Sequence, residues 1–221
     1  MENEPLYVQY GAAQCCPDGW ANYDATPTLL FQRVPLIGNL IVPKSKRFPK
    51  NMIHGDIVRG LPVVPASVDG AYASHVLEHL ALDDFRIALR NTFAMLKPGG
   101  VFRLVVPDLA ERARRYIADF NRGASDASIS FMHACSLGKA TRSRTIEARI
   151  RQEFGNSAHL WMWDELSMKH ELSNAGFMKI RRCMFGDSDD LMFAKVEDYN
   201  RFVDTNCKPE LTELAFEGRR P

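Results

Sequence analysis

Short apolar runs alternate with longer amphipathic stretches along most of this chain. Leu6–Tyr10, closed by Gly11, and Trp20–Tyr23, closed by Asp24, read as strands. Met52–Ile57 reads as a short strand running into a turn at Gly55–Asp56. Val68–Ala73 is the next strand, and Val101–Val106 is an unbroken apolar, β-branched run, the pattern of a strand buried on both faces. Met178–Cys183 and Leu211–Phe216 are the last strand candidates.

The amphipathic stretches read as helices. Asp83 is placed to cap one that carries Phe85, Ala88, Leu89, Thr92, Phe93 and Leu96 on one face. Lys97, Pro98, Gly99 and Gly100 then stop it. Leu109–Phe120 is helical, with Arg112, Arg114 and Arg115 on its exposed side. Ser143–Phe154 is a charged helix, and Asp164 caps a helix through Ala175 that Gly176 closes. Asn121–Ser130 and Leu61–Pro65 read as loops, and Ala25–Asn51, with four prolines, as a loop-rich stretch holding one helical turn. Gly11–Gly19 is too short for a substantial crossover helix, so that connection is compressed or irregular. Strands alternating with helices predict an α/β domain with a mainly parallel sheet covered on both faces.

Composition leaves this picture in place. The 221 residues suit one domain, with 46% hydrophobic and 25% charged residues. The formal net charge of +1 points to neither nucleic acid nor a membrane surface. Basic clusters at Lys44–Arg47, Arg112–Arg115 and Arg142–Arg151 read first as solvated faces and second as an anion site. Five cysteines without a CxxC pair suit a reduced, cytoplasmic thiol set. The start MENEPLYVQY lacks signal-peptide features, and no apolar run approaches the roughly 18 residues of a spanning helix. Nothing in the sequence sets an oligomeric state.

Ligands of open α/β sheets bind beyond the carboxyl ends of the strands, near the switch in strand order. Gly11, Ala12 and Ala13 follow the first strand, Asp24 the second and Asp56 the third. Ser74, His75, Glu78 and His79 follow the fourth, and Pro107 and Asp108 the fifth. Two isolated carboxylates facing a small-residue turn suit a nucleoside ligand: a carboxylate accepts from both ribose hydroxyls, and a tight turn presents backbone N–H groups. GAAQCC keeps only the first glycine of a dinucleotide fingerprint, which argues against a nicotinamide oxidoreductase. His75-Val-Leu-Glu78-His79 matches the H-x-x-E-H pattern of zinc hydrolases, whose two histidines share a helical face. Its position directly after a strand favours a cofactor enzyme.

The segments SVDGAYASHVLEHL and LKPGGVFRLVVPDL resemble class I S-adenosylmethionine-dependent methyltransferases, in the small subgroup with SHVLEH and LKPGG motifs (methyltransferase type 11-like). YGAAQCCPDGWANYD and HLWMWDELSMKHELSNAGF are similar to further stretches of that subgroup. The likeness runs from about residue 6 to about 187, with a final strand near Leu214–Glu217.

It implies a single doubly wound domain over residues 1–221 with a mainly parallel seven-stranded, Rossmann-like sheet, and with 121–158 as a helical or loop insertion near the acceptor site. It implies S-adenosylmethionine as cofactor and S-adenosylhomocysteine as product, with no metal. Gly11, Ala12 and Ala13 would lie beside the methionine part, Asp24 at the ribose hydroxyls, Asp56 and Ile57 at the adenine, and Ser74 and His75 beneath the sulfonium. The acceptor would be a small molecule or glycan, attacking through oxygen. A sulfonium methyl is already activated, so positioning provides most of the acceleration and a base helps a hydroxyl acceptor. His75 and His79 are the foremost base candidates, followed by His159 and Asp108. Trp161 and Trp163 are expected in core packing rather than in an acceptor pocket. The subgroup usually has glycine where Ala13 stands, and an added methyl group there crowds the cofactor. That departure motivates a second reading, a methyltransferase fold that binds without catalysing.

Overall fold

The computed structural model describes residues 6–34, 42–44, 47–138, 141, 158–207 and 209–221. The first four strands are β1 (Tyr7–Tyr10), β2 (Trp20–Asp24), β3 (Met52–His54) and β4 (Val68–Ser74), with a short helix α1 (Pro27–Gln32) between β2 and β3. Helix α2 (Leu82–Met95) leads into β5 (Leu96–Val106). Helices α3 (Leu109–Asn121), α4 (Ala127–Ala134) and α5 (Glu165–Asn174) precede β6 (Met178–Arg182). A short helix α6 (Tyr199–Phe202) runs into β7 (Val203–Asp204), which pairs with β8 (Leu211–Thr212), and β9 (Leu214–Arg219) ends the fold.

Seven strands form one sheet in the order β3-β2-β1-β4-β5-β9-β6. All pairs from β3 to β5 are parallel, while β9 runs antiparallel to both β5 and β6. The sheet is the expected doubly wound, Rossmann-like one. Strand order reverses at β1, which lies between β2 and β4, so the carboxyl ends of these strands open the crevice for a ligand.

Alternation along β5 divides the core. Phe102, Leu104 and Val106 face α2 and α5, joining Phe85, Leu89, Met168 and Leu172 in the main cluster. Val101 and Val105 face the other side, where Tyr7, Trp20, Tyr72, Phe193 and Phe202 pack. That side is covered largely by the stretch from Met184 to Phe202, which holds only short helical turns. Buried Arg103 fastens the stretch down: its guanidinium bonds to the Glu197 and Glu217 carboxylates, to Asp187 at 2.8 Å and to the Met184 carbonyl at 2.6 Å.

The β1–β2 connection has no helix, as its length predicted. Two buried amides hold it instead. Gln9 donates to the Asn22 side chain at 2.5 Å and to the Cys15 carbonyl at 2.6 Å, and Asn22 donates to the Trp20 and Pro17 carbonyls.

Several expectations are corrected. Asp83 does not cap α2: Ala81 is the N-cap, and Asp83 sits in the first turn, where its charge suits the helix dipole. The helix ends at Met95, and Leu96 to Gly100 already belong to β5. Arg112 is buried rather than exposed, because its guanidinium forks onto Glu213 at 2.8 Å through two bonds. Part of the expected loop Asn121–Ser130 begins α4, whose Phe131 packs on Tyr116 of α3 at 5.4 Å between ring centroids. Leu211–Phe216 divides at Glu213 into β8 and β9, since the Glu213 amide and carboxylate are drawn to Phe202 and Arg112. The expected helix Ser143–Phe154 lies outside the described residues.

Candidate functional site

The turn after β1 is shaped by two residues with positive φ, Gly11 at +64° and Ala13 at +50°. A Cβ on Gly11 would lie 2.0 Å from Val76 Cγ2, so only glycine fits between the turn and the segment after β4. The Ala12 amide donates to the Tyr23 carbonyl, and the Ala13 amide donates to Asp24 Oδ2 at 3.1 Å. Asp24 Oδ1 accepts from the Thr26 amide at 2.8 Å. One buried carboxylate thus braces both walls of the crevice. Asp56 begins a turn by accepting from the Val58 amide at 2.9 Å, and Asn91 holds the Ile57 carbonyl at 2.7 Å.

Ala13 occupies a conformation that costs an L-residue about 1–2 kcal/mol. Glycine there relieves the strain but adds about 0.4–1 kcal/mol of freedom to the unfolded chain. The melting temperature of Ala13→Gly should therefore stay within about 3 °C of the parent, at roughly 2–4 °C per kcal/mol. Differential scanning fluorimetry checks this, and a larger fall would mean that the Ala13 methyl is packed.

A cleft of about 480 Å³ is lined by Gly11, Ala13, Asp24, Asp56, Ile57, His75 and His79. An adjoining cavity of about 350 Å³ shares Tyr10, Gly11 and Ala13 and adds Ala12, Ser74 and Tyr72. Tyr72 Oη and Ser74 Oγ are buried there without a hydrogen-bond partner. Gly11, Ala12, Ala13, Asp24, Asp56, Ser74, His75 and His79, read from the strand ends, therefore converge on one continuous crevice, whereas Glu78, Pro107 and Asp108 do not line it. A third cavity, about 750 Å³, lies on the far side of His75 and is lined by Tyr116, Asp119, His133, His159, Arg201 and Asp204, among others. Arg112 and Glu213 form part of its wall. His75 lines both this cavity and the cleft. The contribution of Asn200 to Cys207 escaped the sequence reading: these residues form no motif and reach the site only through the β7–β8 ribbon.

The histidines surround Glu78, which is fully buried. His75 has φ +53°, and Leu77–His79 is a single tight turn, so His75 and His79 do not share a helical face. The H-x-x-E-H reading fails on that point. His75 Nδ1 lies 3.5 Å from Glu78 Oε1, and its Nε2 meets the Arg201 carbonyl at 2.9 Å. Burial pulls the His75 pKa down, but the Glu78 charge and the carbonyl more than offset it, and the net shift is upward. His159 is shifted downward, chiefly by burial. Asp108 is no base candidate in this arrangement: it caps α3, pairs with Arg182 at 3.0 Å and lines neither the cleft nor the 750 Å³ cavity. Trp163 is core, with its ring centroid 4.1 Å from that of Phe85, while Trp161 is half exposed and lines neither space.

A methyltransferase-domain family model matches residues 14–181, well over half of the chain. The matched span opens directly after Ala13. No curated protein sequence matches. Among solved structures, the chain is similar to an S-adenosylmethionine-dependent methyltransferase from Archaeoglobus fulgidus, at 12% identity and a TM-score of 0.52, over 98% of this chain and 86% of that one. It is also similar to phosphoethanolamine N-methyltransferase 2 of Haemonchus contortus, solved with phosphomonomethylethanolamine and S-adenosylhomocysteine, at 10% identity and a TM-score of 0.50. That likeness spans 100% of this chain and 50% of the other. At such identities the likeness speaks for the fold. The chain belongs to the methyltransferase domain family. Among the described residues, no helix is long and apolar enough to cross a membrane.

Proposed function

We propose that the chain transfers the methyl group of S-adenosylmethionine to an oxygen of a small, polar acceptor such as a sugar or glycan, as one domain over residues 1–221. The observation that carries this reading is His75, which stands between the crevice at the β1 switch point and the 750 Å³ cavity. Gly11, Ala12 and Ala13 take the methionine end of the cofactor, and Asp24 takes the ribose hydroxyls. Asp56 and Ile57 flank the adenine. Ser74 and His75 lie beneath the sulfonium. The volume of the second cavity suits a small-molecule acceptor. Its charged and polar lining suits one rich in hydroxyls. α4, within the 121–158 insertion, supplies Ser130, Phe131 and His133 to that lining.

With S-adenosylmethionine bound, the cofactor supplies an activated methyl electrophile. The protein orients the acceptor oxygen in line, excludes water and receives a proton. His75, which borders both spaces, takes that proton; His79, the other candidate, borders only the cofactor cleft.

Calorimetric titration with S-adenosylhomocysteine tests the cofactor half. Saturable binding is expected, and Asp24→Asn should weaken it roughly 30-fold, since hydrogen bonds to a charged group are worth about 1.5–3 kcal/mol. No binding of either S-adenosylmethionine or its product by the parent chain would sink the proposal. Unchanged affinity in Asp24→Asn would remove that residue from the ribose. Binding of both ligands without transfer across a broad hydroxyl panel would favour the non-catalytic module that Ala13 motivates.

A further inference from the structure

We propose that Glu78, His79 and His159 form a binding site for one divalent transition metal ion of the zinc type. One ligand atom of each lies within 4.8 Å of the others, the one such group found among the described residues. Glu78 Oε1 is 3.9 Å from His79 Nε2 and 4.0 Å from His159 Nε2.

Three observations point to a cation. First, Glu78 is 0% exposed, and neither of its carboxylate oxygens has a hydrogen-bond partner. A buried carboxylate in that state costs several kcal/mol unless positive charge meets it; His75 Nδ1 at 3.5 Å is one source of that charge, and an ion between Oε1 and the other two histidines is a second. Second, His79 has its other nitrogen occupied: Nδ1 lies 3.0 Å from the Ala158 carbonyl and, as donor to it, leaves the Nε2 lone pair facing Glu78. A backbone carbonyl on the far ring nitrogen is the usual outer support of a metal-bound histidine. Third, the cluster is assembled across the fold with some care. The Glu78 carbonyl accepts from the amides of Leu160 at 2.8 Å and Trp161 at 3.1 Å, which fastens the His159 segment onto the turn at Leu77–His79.

Ligands about 2.0–2.1 Å from a tetrahedral zinc lie roughly 3.3 Å apart. The two Glu78–histidine separations exceed this by well under 1 Å and the remaining pair lies within 4.8 Å, so side-chain rotation would have to close the set. Two imidazoles and a carboxylate form a donor set that zinc takes with a fourth position open. His79 borders the cofactor cleft, and His159 borders the 750 Å³ cavity. The open position therefore lies at the junction of the two spaces. Resting on the proposed methyl transfer, an acceptor hydroxyl bound there would lose its proton more readily, to His75, before its oxygen takes the methyl group and S-adenosylhomocysteine leaves. His75, 3.5 Å from the same carboxylate oxygen, is a neighbour of the site rather than one of its three ligands.

The test is calorimetric titration of the chelator-treated chain with ZnCl₂ alone, repeated with Co²⁺ while recording the visible spectrum. One equivalent of saturable binding is expected, with the intense visible bands of four-coordinate Co²⁺. His159→Ala and Glu78→Gln should each weaken Zn²⁺ binding at least tenfold, with circular dichroism reporting that each variant is folded. Absence of saturable Zn²⁺ binding by the parent chain would overturn the proposal, whatever the variants do. So would folded variants that bind Zn²⁺ as tightly as the parent. S-adenosylhomocysteine is titrated separately. A chain that binds Zn²⁺ but not the nucleoside keeps the metal site and loses the methyl-transfer reading.

Discussion

Arg103→Met should lower stability by about 3 kcal/mol or more, the cost of removing one partner from a buried ion pair. For a chain of this size that is a fall in melting temperature of about 10 °C. Arg103 is wholly buried, and Glu197 and Glu217 have side chains only 1% and 6% exposed. Neither carboxylate is left entirely alone. Glu197 also accepts from the Gly186 amide, and Glu217 from Arg181, which keeps the expected loss at the lower end of the range for broken buried pairs. Most of the penalty should therefore sit on the Glu197 charge. The double change Arg103→Met with Glu197→Gln should recover part of the loss, because a neutral amide is cheaper to bury than an unpaired carboxylate. Denaturant melts of the three proteins check this. A single variant within about 1 kcal/mol of the parent would mean that the stretch from Met184 to Phe202 is held by its apolar contacts alone.

Gly11→Ala should damage both stability and cofactor binding. The added Cβ would stand 2.0 Å from Val76 Cγ2, and Val76 is β-branched and cannot swing its methyl groups aside freely. The left-handed conformation costs about 1–2 kcal/mol and the overpacking about 1–3 kcal/mol, for a total of about 3 kcal/mol. Gly60→Ala is the control: φ there is +88°, and nothing lies within 4 Å of an added Cβ, so only the backbone cost applies. Gly11→Ala should melt several degrees below Gly60→Ala and bind S-adenosylhomocysteine at least tenfold more weakly than the parent. Equal melting temperatures for the two variants would show that the turn and Val76 do not press together as described.

These two positions differ in how far the sequence announced them. Gly11 ends an apolar run that reads as a strand, and a small-residue turn at that point is a recognisable ligand feature. Arg103 stands inside Val101–Val106, where the surrounding β-branched residues conceal it and its partners lie 81 to 114 positions away in the chain. Arg112 misled for a related reason. Its neighbours Arg114 and Arg115 suggest a solvated helix face, yet Glu213 from a distant ribbon neutralises and buries it. Asp83 looked like a cap because it precedes the apolar face of α2, but the helix had already begun at Leu82.

The crevice at the β1 switch point was legible because its parts follow a local rule. In a parallel sheet each strand delivers its next residue to the same edge, so Gly11, Asp24, Asp56 and Ser74 could be placed from strand ends alone. The same local patterns determined where most of the strands lie, though not the early start of β5 or the division of Leu211–Phe216, as well as the helix-free β1–β2 connection and the capped helix before β6. Tertiary structure alone decided the rest. The antiparallel insertion of β9 between β5 and β6, the ribbon that carries Asn200–Cys207 to the larger cavity, and the approach of His159 to Glu78 all depend on contacts between residues far apart in the chain. Local periodicity records which face of a strand or helix is apolar. It does not record which distant charge or carbonyl will meet that face, because that choice is made by the packing of the whole domain.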